Sequence, residues 1–278
     1  MRVESVPDPV LQQPTDAVVR IVRSCACGSD LHPYHSLPAS EQGTPMGHEF
    51  LGVIEDLGSE VSGLKRGDLV VSPFAWSDNT CVFCREGLQT SCLNGGFWAR
   101  DGVGGGLADV YGTGHLAAKQ AHVDARTTVA VIGDRAVGLM AVLSARRLGA
   151  ERIILSGRHE DRTKLGIDFG ATDVVPERGS EGIERVRELT GGQGVHAVLE
   201  AVGYMNAYET AFGIVRPGGV ISRAGVPQYE DVPIGFGGLF GPDITLTGGP
   251  APVRSYIEEL MSDVPARNSS SSGEPPLS

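Results

Sequence analysis

Val129-Ala130-Val131-Ile132-Gly133-Asp134-Arg135-Ala136-Val137-Gly138-Leu139 is the stretch that decides the fold. Four apolar residues run without a break into Gly133, and an apolar-faced helical segment follows from Ala136 to Leu148. An uninterrupted apolar run reads as a strand buried on both faces, as in parallel sheets. A glycine turn leading straight into a helix is the setting in which a dinucleotide pyrophosphate rests on helical N–H groups. The usual fingerprint is Gly-x-Gly-x-x-Gly. Gly133 and Gly138 hold its first and third places, Val137 stands just before the third, and Arg135 replaces the second glycine. The Arg135 side chain either crowds the cofactor or swings out to contact phosphate.

Downstream, apolar strands at 153–155, 173–175, 195–200, 219–222 and 244–247 are separated by helical segments near 180–190 and 206–215, and a helix at 253–261 follows. This alternation predicts an α/β unit with a doubly wound parallel sheet. The second strand of such a unit usually ends in an acid that holds the ribose 2′-OH. Here the chain reads Ser156-Gly157-Arg158-His159, with no acid in place. Gly157 leaves room, and Arg158 and Arg162 can pair a 2′-phosphate, so NADP(H) is preferred over NAD(H). The plainer alternative for Arg158 is a solvated surface charge.

Upstream the pattern differs. Short strands at 18–23, 50–57 and 69–71, punctuated by glycine and proline, make a β-rich unit. It carries Cys27-Gly28-Ser29-Asp30-Leu31-His32 and then Gly47-His48-Glu49. Thiolate, imidazole and carboxylate are the ligand types a catalytic zinc takes when one position stays open. Ser29 and His32 form a candidate proton relay. Adjacent residues on a strand point to opposite faces, so His48 and Glu49 are expected to need local distortion to share a site. A loop at 76–95 holds Cys81, Cys84 and Cys92, with Asp78 ahead of them. Five cysteines, two of them at Cys-x-x-Cys spacing, favour metal ligation over disulfides in a reducing compartment.

Composition narrows the function class. The 278 residues carry 34 acidic against 23 basic side chains, a formal charge of −11, with no basic patch to neutralise phosphates. That excludes a nucleic-acid partner. No run of 18 apolar residues and no signal-type N-terminus is present, so no membrane partner is expected and a cytoplasmic location is.

Together these motifs resemble the zinc-dependent alcohol dehydrogenases of the medium-chain dehydrogenase/reductase superfamily. Matching pieces are Cys27 to His32, Gly47 to Phe50, the Cys81/Cys84/Cys92 lobe, Val129 to Gly138, Gly149-Ala150, Gly170 to Asp173, Gly194 to Gly203 and Pro217 to Gly219. The resemblance implies an incomplete GroES-like catalytic domain at 1–108, a Rossmann domain at 109–262 and a disordered tail at 263–278. It implies Cys27, His48 and Asp109 as catalytic zinc ligands, with Asp109 ahead of a Thr-Gly turn. Glu49 becomes a neighbouring or exchanging ligand, and Ser29 and His32 the relay. It also implies a structural zinc lobe of four cysteines, in which Asp78 stands in the first place ahead of Cys81, Cys84 and Cys92; a second zinc on these four and a metal-free loop of free thiols both stay open. The implied reaction moves hydride between an alcohol, or its aldehyde or ketone, and the nicotinamide, with zinc polarising the substrate oxygen and homo-oligomers possible.

The chain is shorter than the family pattern. The first GroES-like strand, the segment between Gly106 and Leu107 and the return to the catalytic domain after Met261 are missing from it, so open sheet edges and uncovered apolar surface are expected. Two other function classes stay open at this stage. One is a non-catalytic remnant that at most binds nucleotide or a partner. The other is a zinc-free quinone reductase, against which the Cys27/His48/Asp109 set argues. His115, His159 and His196 carry no motif and read as surface or packing residues.

Overall fold

The computed structural model describes residues 5–25, 27–31, 47–97, 109–228 and 235–263. The Gly102–Gly106 cluster, the junction at Leu107 and the tail expected to be disordered lie outside the described residues. The first unit is an antiparallel sheet in the order β1 (Ala17–Ser24), β2 (Phe50–Leu57), β3 (Leu69–Val71). Its two outer strands carry the exposed apolar side chains Ile21, Val22 and Leu69. Beyond it, β4 (Ala75–Trp76) pairs with β5 (Gly96–Phe97), and the loop between them holds the short helix α1 (Val82–Arg85).

From Asp109 onward helices and strands alternate: α2 (Asp109–Gln120), β6 (Thr128–Ile132), α3 (Ala136–Arg147), β7 (Arg152–Ser156), α4 (Glu160–Phe169), β8 (Asp173–Val175), α5 (Gly179–Leu189), β9 (Val195–Glu200), α6 (Met205–Ile214), β10 (Val215–Arg223), α7 (Phe236–Phe240), β11 (Thr245–Gly248) and α8 (Val253–Met261). The six strands lie in the order β11-β10-β9-β6-β7-β8, every pair parallel. The order reverses between β6 and β9, which puts a ligand crevice at their C-terminal ends. Val129, Val131, Ile153 and Leu155 pack one face of the sheet against α2 and α3. Ala130, Ile154, Val198 and Ile221 pack the other against α5 and α6. Among the described residues no helix is long and apolar enough to cross a membrane.

Helix α2 departs from expectation. Its composition looks helical only from Leu116, and the family pattern puts a turn after Asp109; the helix in fact starts at Asp109. The disguise is Gly112 and Gly114, each of which costs a helix interior about 1 kcal/mol relative to alanine. Both sit at close approaches. A Cβ on Gly112 would lie 2.9 Å from the Val253 side chain on α8, and one on Gly114 would lie 2.5 Å from the Ala141 backbone nitrogen on α3.

Candidate active site

The β1–β2 ladder ends at the pair Ser24↔Phe50, and the Cys25 N–H donates to the Glu49 carbonyl at 3.3 Å. Cys27, just beyond β1, is thereby set beside His48 and Glu49, just ahead of β2. The opposite-face difficulty does not arise, because the strand begins only at Phe50. Gly47 has φ +106°, a left-handed conformation open to glycine, and the irregular backbone lets both neighbours face inward. Asp109 arrives from the other unit, at the N-terminus of α2. The ligand atoms of Cys27, His48, Glu49 and Asp109 all lie within 4.8 Å of one another. His48 Nε2 is 3.4 Å from Asp109 Oδ2.

The electrostatics of this cluster call for a cation. Burial alone would lower the His48 pKa, but Asp109, Cys27 and Asp30 outweigh it and raise it to about 11. Burial, and then the charge of Asp109, raises Glu49 to about 7. Glu49 Oε1 is buried and has no hydrogen-bond partner among the described residues. A buried carboxylate oxygen in that condition is costly. Protons hold this crowd of acids together; a divalent ion offers the same compensation with the ligands deprotonated. Sulfur, nitrogen and oxygen donors in one cluster fit zinc.

Asp30 belongs to the site, although the sequence suggests for it only a helix-capping role. The chain makes a 3₁₀ turn over Gly28–Asp30 that brings the carboxylate back. Asp30 Oδ1 lies 2.8 Å from His48 Nδ1, and Oδ2 accepts the Cys27 N–H at 2.8 Å. The acid fixes both ligand segments and leaves Nε2 of His48 facing the cluster. The available signal is that a ligating histidine uses its second nitrogen on a carboxylate, and Asp30 is an acid close to Cys27 in sequence. His32 and the Ser29 side chain lie outside the described residues.

The second expected cluster also assembles. Asp78, Cys81, Cys84 and Cys92 place their ligand atoms within 4.8 Å of one another. Cys92 Sγ is 3.3 Å and Cys84 Sγ 3.7 Å from Asp78 Oδ1. Asn94 donates to Asp78 Oδ2 at 2.6 Å, and Thr80 donates through both its N–H and its hydroxyl. These bonds hold the Asp78 carboxyl well below its usual range. Backbone hydrogen bonds bring the Cys81 thiol down to about 7, while burial pushes Cys84 up to about 12. One ready thiolate, one carboxylate and two further thiols suit a closed metal site.

At the crevice, Gly133 has φ +113°, and a Cβ on Gly138 would collide with the Gly133 carbonyl oxygen. The turn is therefore tight, and the α3 N-terminus, with Val137 in its first turn, sits against the strand end. Arg135 takes the outward course. Its side chain is exposed and reaches toward Gly28, with Nη1 3.8 Å from where a Cβ there would stand. It bridges the space between the nucleotide turn and the Cys27 loop.

The ribose end holds a surprise. Asp134, buried in the turn between β6 and α3, fills the place left open by Gly157, where a Cβ would clash with it. Asp134 Oδ2 accepts the N–H groups of Arg158 (3.0 Å) and His159 (2.9 Å) and lies 2.8 Å from His159 Nδ1. Oδ1 is 3.6 Å from Arg162 Nη1. The acid thus binds the loop at Arg158 and His159 and pairs with Arg162 in the first turn of α4. His159 belongs to this end of the crevice, and His115 is fully buried between α2 and α8 beside Tyr256. Glu200 closes β9 at the point where the strand order reverses. Its Oε1 accepts the N–H groups of Val202 (2.7 Å) and Gly203 (2.8 Å).

Comparison with known proteins agrees with this fold. The alcohol dehydrogenase GroES-like domain matches residues 13–133, and the zinc-binding dehydrogenase domain matches 136–263. The chain is 30% identical to zinc-type alcohol dehydrogenase B of Aspergillus flavus, over 96% of this chain and 70% of that one. It is also 30% identical to a probable zinc-binding alcohol dehydrogenase of Mycobacterium tuberculosis, over 94% and 74%. Among solved structures, alcohol dehydrogenase TADH from Thermus sp. ATN1 superposes with TM-score 0.83 at 31% identity, covering 93% of this chain and 84% of that one. Zinc-dependent alcohol dehydrogenase 2 from Streptococcus pneumonia gives 0.82 at 28%, covering 93% and 82%. A GroES-like unit joined to a Rossmann sheet, with a thiolate–imidazole–carboxylate cluster where they meet, places this chain in the zinc-dependent alcohol dehydrogenase family of the medium-chain dehydrogenases.

Proposed function

We propose that the protein is a zinc-dependent alcohol dehydrogenase that moves hydride between a small alcohol, or its aldehyde or ketone, and NADP(H). The observation that carries this is the Cys27/His48/Glu49/Asp109 cluster with its partnerless Glu49 oxygen. Cys27, His48 and Asp109 are the proposed ligands, and Glu49 is close enough to join or leave them. Zinc, when bound there, supplies a Lewis acid that polarises the substrate oxygen. Hydride chemistry is the nicotinamide's own.

The chain's residues do the rest. Asp30 holds His48 Nδ1, so Nε2 is the nitrogen offered to the metal. Gly133, Gly138 and the first turn of α3 cradle the pyrophosphate, and Arg135 reaches across to add a positive charge. Arg158 and Arg162 supply two cations at the ribose end. Asp134 Oδ2 is taken up by the Arg158 and His159 N–H groups while Oδ1 lies 3.6 Å from Arg162 Nη1, so the preference for NADP(H) rests on the two arginines at this end. Ser29 and His32 are proposed to carry the substrate's proton to water. Asp78, Cys81, Cys84 and Cys92 are proposed to hold a second, structural zinc.

The test is metal analysis of protein expressed with ample zinc, together with titration by NADPH and NADH and a turnover assay with simple primary and secondary alcohols. Two zinc equivalents, tighter NADPH binding and NADP⁺ reduction are expected. Cys27→Ser should lose one equivalent and the activity while keeping the other zinc. Protein without zinc and without nucleotide binding would leave the remnant hypothesis standing instead.

A further inference from the structure

We infer that Thr113 is a positioning residue that decides which oxygen of Asp109 faces the metal. The inference rests on Asp109 being a ligand, as proposed above. Asp109 and Thr113 are four apart on α2, on one face of the helix, one above the other. The Thr113 hydroxyl donates to Asp109 Oδ1 at 2.8 Å. The other oxygen, Oδ2, is the one that lies 3.4 Å from His48 Nε2 within the cluster. The two oxygens of one carboxylate are therefore distinguished: one is held by the protein's own helix, the other is turned to the ligand group.

Thr113 suits this task. A helical threonine commonly turns its hydroxyl onto the backbone carbonyl three or four residues earlier. Here the hydroxyl goes to a side chain at that spacing instead. The terminal torsion of an aspartate is broad and roughly two-fold, so an unheld carboxylate would sample both oxygens and intermediate tilts. The bond from Thr113 removes that freedom. The arrangement parallels Asp30 on His48. Each ligand that could present itself in two ways is held by a partner of its own, and groups of that kind typically alter metal affinity 10–100-fold when removed.

The experiment uses the cobalt-substituted full chain, with visible absorption of the bound Co²⁺ and chelator competition as readouts. Cys27→Ser identifies which bands, and which equivalent of metal, belong to this cluster. Thr113→Val keeps the branched shape and loses the hydroxyl, while Thr113→Ser keeps the hydroxyl. The expected result is a roughly tenfold weaker hold on that equivalent in Thr113→Val, with its bands shifted, and parental behaviour in Thr113→Ser. Near-parental thermal stability of both variants shows that the fold is kept. Thr113→Val with parental bands and affinity overturns the inference, as does Thr113→Ser failing as badly as Thr113→Val. If Cys27→Ser changes neither bands nor stoichiometry, the metal assignment itself fails and the inference falls with it.

Discussion

Asp30 offers the sharpest test of how the site is organised, through Asp30→Asn. The carboxylate accepts two hydrogen bonds, one from each ligand-bearing segment: His48 Nδ1 at 2.8 Å and the Cys27 N–H at 2.8 Å. An amide of the same shape has one acceptor and one donor group. Whichever way it turns, an N–H of the protein faces an NH₂. If the lost partner is His48, the imidazole no longer has its Nδ1 proton fixed and Nε2 is no longer reserved for the metal. A hydrogen bond to a charged group contributes about 1.5–3 kcal/mol net. That corresponds to about 10–100-fold in affinity, which matches the usual cost of removing a ligand's hydrogen-bond partner. Zinc affinity is measured by chelator competition, with the Asp78/Cys81/Cys84/Cys92 lobe as internal control. The expected outcome is a 10–100-fold weaker hold on one equivalent and no change in the other. Parental affinity at both sites refutes the reasoning. Equal weakening at both would show that Asp30 supports the fold and not the site.

Arg158→Ala and Arg162→Ala should each weaken NADPH binding about tenfold, about 1.4 kcal/mol, and leave NADH almost unchanged in a fluorescence titration; equal loss of both cofactors would contradict a 2′-phosphate contact. Glu200 is fully buried, and burial raises its pKa above the ordinary carboxylate value. The folded chain therefore holds that proton more tightly than the unfolded one, so its contribution to stability is fullest below about pH 4.5 and falls as pH rises through the folded pKa, by at most about 1.4 kcal/mol per pH unit. Glu200→Gln keeps an oxygen for the Val202 and Gly203 N–H groups, so melting temperatures from about pH 5 to 8 should favour the variant increasingly as pH rises; parallel curves would show that the carboxyl is ionised at no cost. Gly114→Ala should gain about 1 kcal/mol of helix propensity yet lose about 1–3 kcal/mol to overpacking against Ala141, and it should weaken zinc binding by displacing Asp109; a variant simply more stable than its parent would refute the close-contact argument.

What the sequence disclosed was local. The run from Val129 to Gly138 announces strand, turn and helix because all of its signals lie within one short window, and the parallel sheet follows from repeating that pattern. Cys27, His48 and Glu49 stand out because their residue types are a ligand set. The hidden parts depend on contacts between windows. Asp134 enters the space above Gly157 from a different turn, so the absence of an acid after β7 hid an acid supplied from after β6. Asp30 reads as a cap until the 3₁₀ turn brings it back to Cys27 and His48. Helix propensity put the start of α2 at Leu116, because Gly112 and Gly114 look like a turn unless one knows that Val253 and Ala141 press against them. With the helix start went the pairing of Asp109 with Thr113, visible only once both are known to be helical.

Those two glycines also bear on how Asp109 sits relative to the nucleotide turn within the second unit. Asp109 reaches the cluster from the first residue of α2, and α2 lies with Gly114 directly against the backbone of α3. The N-terminus of α3 is the nucleotide turn. The separation between Asp109 and the nucleotide turn is therefore set by a backbone-to-backbone helix contact, which has no side-chain rotamers to average over. Helix α8 clamps the opposite end. Arg147, in the last turn of α3, pairs with Glu259 at 2.5 Å and Asp263 at 2.6 Å, and the Tyr111 hydroxyl on α2 donates to Asp263 at 2.8 Å. The first turns of α2 and the middle and last turn of α3 are thus tied to one another and to the α8 end of the chain, and α2 carries Asp109. A larger residue at Gly114 would shift Asp109 relative to the nucleotide turn and so act on the proposed zinc and cofactor sites together, although Gly114 touches neither. The helix propensity given up at those positions is the cost of fixing that distance.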